Sequence, residues 1–263
     1  MRKLGIIGLS IIALFTAAAV ALAADPAVVT LTGSITGDDG ATAKKPKNGT
    51  VKVKFNVNVE SESTADRITY TLPSDLKLDG GGFKTCSEDQ IAQGGEEACP
   101  DGSQVGTGTA KATLSGPDPT ELLFDIKIYA AGKDKVTLSL VTQLFQTAIT
   151  GNITGGNKLD VVVPQRVYSP VSGLYTYITE VDATLGPAKT KVKKKVTVKV
   201  KRKNRKKGQS KFVKRKRTRK VDKYFAAVSG CSSTRTFAVS LNLIPNPEPP
   251  PTSPIGASAT GPC

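Results

Sequence analysis

The side chains best placed to do chemistry in this sequence are cationic, and they are gathered in one stretch. Of 263 residues, 37 are Lys or Arg and 22 are Asp or Glu. Residues 189–220 hold 19 of the basic residues and no acid. The candidate binding residues are Lys193, Lys194, Lys195, Lys199, Lys201, Arg202, Lys203, Arg205, Lys206, Lys207, Lys214, Arg215, Lys216, Arg217, Arg219 and Lys220. The chemistry open to such a run is polyanion binding: ammonium and guanidinium groups displace condensed counterions, and Arg adds bidentate phosphate contacts. Outside a cell the matching ligands are anionic cell-wall polymer, acidic polysaccharide, lipid headgroups or extracellular DNA. Sequence-specific nucleic-acid reading is not expected, because no recognition helix accompanies the run and aromatic residues within it are scarce. The competing expectation is a solvated edge hairpin whose lysines block edge-to-edge aggregation. Nineteen charges exceed what that purpose needs.

Other constellations lead to simpler expectations. The chain has no His and no Trp. That excludes Ser–His and Cys–His nucleophile pairs, imidazole metal sites and the best sugar-stacking ring. Glu88, Asp89, Glu96, Glu97 and Asp101 crowd between and beside Cys86 and Cys99. They offer oxygen ligands to Ca²⁺, but their spacing fits no EF-hand loop, so a solvated acidic loop is expected. Gly106 and Gly108 form a G-x-G with Lys111 where a third Gly would be needed and no helix after it. A twisted strand is expected there, with no phosphate cradle. Asp38-Asp39-Gly40 reads as a turn, and Tyr175 and Tyr177 as packing residues on one strand face. Glycosidase chemistry needs only two carboxylates, but the acids here fall in turns or on exposed strand faces. No catalytic residue, metal or cofactor is expected, and the chain is read as a non-enzyme.

The elements that must carry these residues are strands. Val51, Val53, Phe55 and Val57 alternate with Lys52, Lys54, Asn56 and Asn58, the period of a half-buried antiparallel strand. Val59 and Glu60 continue it. Similar alternation predicts strands at 27–35, 66–72, 105–114, 122–130, 135–140, 144–153, 158–163, 174–184 and 236–243. Turn residues recur about every ten positions, as in sandwiches and barrels, so the fold class expected is an all-β antiparallel sandwich over residues 24–243. Val192, Val196, Val198 and Val200 lie at even spacing within the basic run. With a turn over Asn204–Ser210, they predict a long basic hairpin at 189–222 rather than a disordered tail. Residues 244–263 contain seven prolines and read as a semi-extended polyproline-type tail unable to donate a regular ladder.

Arg2, Lys3, an apolar run from Leu4 to Val20 and Ala21-Leu22-Ala23 read as a signal peptide over residues 1–23. The alternative is a retained anchor; no later stretch is apolar enough to span a membrane. In an exported protein the four cysteines can oxidise. Cys86–Cys99 is the local pair, around a capping box in which Ser87 caps and Gln90 answers, with Gly94-Gly95 as the stop. Cys231–Cys263 would follow by elimination, though Cys263 could instead be free or link two chains. With Arg2 and Lys3 set aside, 35 basic residues remain; 19 lie in the run, leaving 16 against 22 acids. The chain is thus a mildly acidic body bearing one cationic segment.

Lys84-Thr85-Cys86, Ala98-Cys99-Pro100, Gly102-Ser103, Val105-Gly106 and Gly108-Thr109-Ala110 resemble a motif of uncharacterised secreted β-proteins of actinobacteria. The segment around Cys231 resembles the last strand of that group, with Phe237 as its aromatic residue and without the Trp expected near Arg235. The resemblance spans residues 50–243 and implies a compartment and a fold, with no reaction attached. The function expected is a non-enzymatic secreted or cell-envelope protein that holds anionic wall polymer or acidic polysaccharide through the hairpin. A protein-interaction or adhesive module is the second expectation, and a carbohydrate-active hydrolase the third.

Overall fold

In the computed structural model, residues 28–58, 63–201, 203, 207, 210, 212–231, 234–245 and 254–262 are described. The signal segment 1–23, Val59, Glu60 and Cys263 lie outside the described residues, as does most of the Asn204–Ser210 turn. The period-two runs form the strands that their alternation requires. β1 (Val28–Thr36), β2 (Lys47–Asn48), β3 (Thr50–Asn58), β4 (Ser63–Thr71) and β5 (Leu76–Leu78) come first. A short helix α1 (Glu88–Gly94) precedes β6 (Gln104–Leu114), β7 (Thr120–Ala130), β8 (Lys135–Val141), β9 (Gln146–Thr154) and β10 (Lys158–Val162). A single turn of helix, α2 (Gln165–Tyr168), leads to β11 (Thr176–Leu185). Then follow β12 (Lys189–Lys201), β13 (Phe212–Tyr224), β14 (Ala226–Val228), β15 (Thr234–Pro245) and β16 (Ile255–Pro262).

Eleven strands make one antiparallel sheet in the order β1-β3-β11-β6-β7-β8-β9-β10-β4-β15-β16. Its inward residues, among them Phe55, Phe124, Ile128, Val181, Phe237 and Leu241, share a single apolar core. The sheet curls until its two edges meet. On β1, Gly33 lies beneath the Phe237 ring of β15, so close that a Cβ there would come within 2.3 Å of the ring. Beside it runs Gly261 of β16, whose Cβ position would be 3.4 Å from the Gly33 carbonyl oxygen. The result is a nearly closed, sandwich-like barrel, which leaves few free strand edges for a neighbour to pair with. A small sheet, β2-β14-β5, adds Leu76, Leu78 and Val228 to the same core.

The C-terminal segment departs from the polyproline expectation. β16 pairs with β15 from Thr234↔Pro262 to Leu241↔Ile255. The reason is local: Ile255–Gly261 is free of Pro, and only the prolines around it made the whole segment read as a non-strand. From Ile255 to Gly261 its odd-numbered residues are half-buried and its even-numbered residues exposed.

The Cys86–Cys99 loop sits on the outer wall. Their disulfide is formed, with Cα atoms 5.1 Å apart. Ser87 Oγ accepts the Gln90 N–H at 3.2 Å, and Gln90 Oε1 accepts the Ser87 N–H at 2.9 Å, so the capping box is complete. Ile91, Cys86, Tyr129 and Ala148 form a second small cluster beneath α1. Cys231 is disulfide-bonded as well.

Candidate functional site

The basic run leaves the barrel as an arm. Gly186 starts the exit at φ 77°, a left-handed conformation that favours glycine, with its Cβ position 2.5 Å from the Gly49 carbonyl oxygen, so no larger residue fits. β12 and β13 then pair only with each other, in register from Lys189↔Tyr224 to Lys201↔Phe212. Thirteen residues per strand make a ribbon about 40 Å long. Its base is anchored. Thr190 Oγ1 donates to the Gly82 carbonyl oxygen at 3.3 Å, Val192 packs on Gly82, and Lys223 pairs with Asp79 at 2.8 Å. Phe225, just past the arm, is fully buried and meets Phe83 edge-on at 6.1 Å between ring centroids.

Beyond Val192↔Val221 the arm is free. Between Lys193 and Lys220 every described residue is exposed except Val196, Val198, Val200 and Val213, which are half-buried. No described Lys or Arg in this span forms an ion pair. Three like-charged pairs lie directly opposite one another: Lys193↔Lys220, Lys194↔Arg219 and Lys199↔Lys214. Such pairs oppose the ribbon electrostatically, and the Val192↔Val221 and Val200↔Val213 pairs offset them at either end.

Alternation sorts the side chains further. Residues opposite one another share a face. The odd-numbered residues of β12 and their partners put Lys193, Lys195, Lys199, Lys201, Lys214, Lys216 and Lys220 on one face. The other face carries Lys194, Arg215, Arg217 and Arg219 among the four half-buried valines. Lys203 and Lys207 are exposed beyond the strands. Arg202, Arg205 and Lys206 lie outside the described residues. The sequence pattern pointed to valines in phase and a basic outer face; the structure adds that the arginines share the valine side and that no described barrel strand covers it.

The remaining candidates resolve into structural roles. Gly106 and Gly108 are strand residues pressed against β11, where a Cβ would meet the Thr184 and Asp182 carbonyl oxygens at 2.4 and 2.6 Å. Within the acidic loop, Glu96 pairs with Lys127 at 2.5 Å, and that contact raises the Lys127 pKa. Glu88 pairs with Arg166 and accepts from Thr150. Among the described residues no group of three metal-ligating side chains occurs. Tyr177 of β11 lies opposite Thr113 of β6, and the Tyr175 N–H donates to Ser115 Oγ at 2.8 Å. Inside the barrel an apolar cavity of about 70 Å³ is lined by Tyr70, Ala110, Ala112, Phe124 and Ile149, with no acid or base in its wall. Burial there pushes the Tyr70 phenol pKa far up.

One charged cluster escaped the sequence reading. Arg235 is 2% exposed and donates to Asp38 at 2.6 Å and to Asp75 at 2.8 and 3.1 Å. These hydrogen bonds outweigh its desolvation and hold its pKa above the usual value. A signal was present: Arg235 is in phase with Phe237, Val239, Leu241 and Leu243, the inward set of β15. A charge in a buried phase demands a buried counter-charge.

No family model matches the chain, and neither a curated protein nor a solved structure matches it. Among the described residues no helix is long and apolar enough to cross a membrane.

Proposed function

We propose that this chain is an exported, non-enzymatic envelope protein that holds anionic cell-wall polymer or acidic polysaccharide through its arm. The observation that carries the reading is the lysine face: seven exposed lysines along a free ribbon, with no carboxylate among the described residues paired to any of them. An unpaired row of ammonium groups is held apart at a cost, and a polyanion laid along it removes that cost while releasing its own counterions. Binding is multivalent charge pairing, with no bond made or broken in the ligand. The Cys86–Cys99 disulfide is compatible with an oxidising compartment, where the polymer would be met.

The test replaces residues 193–220 by a two-residue Asn-Gly turn across Val192 and Val221, which face each other directly. The expected result is a folded barrel that no longer stays on a polyphosphate or acidic-polysaccharide matrix, whereas the intact protein stays and elutes as salt rises. Equal retention of the arm-less protein refutes the proposal. So does retention of the intact protein that molar salt does not weaken, which would move the contact to the barrel wall and favour a protein-interaction module.

A further inference from the structure

The arm's two faces differ in more than charge. Every described arginine of the free arm, and every one of its half-buried residues, lies on the same side: Arg215, Arg217 and Arg219 with Val196, Val198, Val200 and Val213. The opposite side is lysine, threonine and Phe212. A hydrated polymer gains nothing from valine, so the lysine face alone accounts for polymer binding. The valine–arginine face asks for a ligand that is anionic and apolar at once.

We infer that the valine–arginine face lies flat on an anionic lipid bilayer. The inference rests on the reading of the arm as a binding element and adds a second ligand on its other side. Three features carry it. Valine methyls enter the boundary between headgroups and acyl chains, as the apolar stripe of an interfacial amphipathic element does. Arginine suits that depth: its aliphatic stem runs along the apolar surface while the planar guanidinium takes a lipid phosphate bidentately. Finally, the face holds no carboxylate; Asp222, the nearest acid in the ribbon, is at the base, opposite Lys191 on the lysine side. The backbone also sets a limit. A two-stranded ribbon has unpaired edge N–H and C=O groups along its whole length, so it can rest in the interface but cannot cross the hydrocarbon. Lysines pointing away from the bilayer stay free for polymer, so the arm can bridge membrane and wall.

The test uses the intact chain without residues 1–23, with phosphatidylcholine vesicles that contain or lack phosphatidylglycerol, and with soluble polyphosphate as the polymer probe. Vesicle binding is read by flotation and polymer binding by fluorescence anisotropy. One variant carries Val196→Thr, Val198→Thr and Val200→Thr, which keep strand propensity at exposed positions. A second carries Lys193→Gln, Lys195→Gln, Lys199→Gln and Lys201→Gln. Circular dichroism of each checks the fold. The valine variant is expected to lose roughly tenfold or more in affinity for phosphatidylglycerol vesicles, from three apolar contacts removed, with polyphosphate affinity within about twofold. The lysine variant is expected to lose polyphosphate and keep most vesicle binding. Failure of the wild type to float with phosphatidylglycerol vesicles overturns the inference, as does a valine variant that floats equally well. Failure to bind polyphosphate overturns instead the proposed function, so the two fail separately.

Discussion

The salt dependence of polymer binding gives the sharpest measure of the arm. One face presents seven lysines, Lys193, Lys195, Lys199, Lys201, Lys214, Lys216 and Lys220, along a ribbon with no internal ion pair beyond its base. For a flexible phosphate chain, each neutralised phosphate contributes about 0.7 to the slope of log K against log salt. Full engagement therefore gives a slope of about −5, and affinity falls about a thousandfold between about 50 and 200 mM salt. Replacing Lys193, Lys195, Lys199 and Lys201 by Gln removes four contacts and should make the slope shallower by about 3 units. Anisotropy titrations of labelled polyphosphate at four or more salt concentrations measure both slopes. A wild-type slope shallower than about −2, or one that the four substitutions leave unchanged, would refute the claim that this face makes the contact.

The barrel permits further tests. Arg235→Ala strands Asp38 and Asp75 without their guanidinium, and should destabilise the protein by about 3–5 kcal/mol in urea unfolding; an unchanged midpoint would show the cluster to be dispensable. Replacing Cys86 and Cys99 together by Ser opens a loop with a sequence separation of 13, a loss of about 3 kcal/mol on the chain-entropy account, read the same way. Gly33→Val drives a side chain into the Phe237 ring where β1 closes on β15, and should lower the thermal midpoint by several degrees; a neutral result would mean the sheet edges do not meet there. Among the described residues, deleting the arm from 193 to 220 removes no fully buried side chain, so the thermal midpoint of the remaining barrel should hardly move.

Much of this was legible beforehand. Alternating hydrophobicity placed β3, β6, β7 and β15, and in β3 it identified the inward residues Val51, Val53, Phe55 and Val57, because side-chain direction in a strand depends only on parity along the chain. The capping box at Ser87 and Gln90 and the local disulfide were equally readable, since each involves residues a few positions apart. The even-spaced valines likewise placed the arm as a hairpin. The short β2, β5 and β14 were missed, as two or three residues carry no measurable period. β16 was hidden by the prolines around it.

What chain composition and spacing determined on their own is a set of local facts: which stretches extend, which side of each faces inward, and where the positive charge is held. The tertiary structure decided the non-local ones. It brought Asp38 to Arg235 across 197 positions, laid β16 alongside β1, and left the valine–arginine side of the arm uncovered by any described strand of the barrel. The physical reason is that alternation is written into successive residues, whereas a counter-ion, a neighbouring strand or an absent cover depends on how the whole sheet curls and closes.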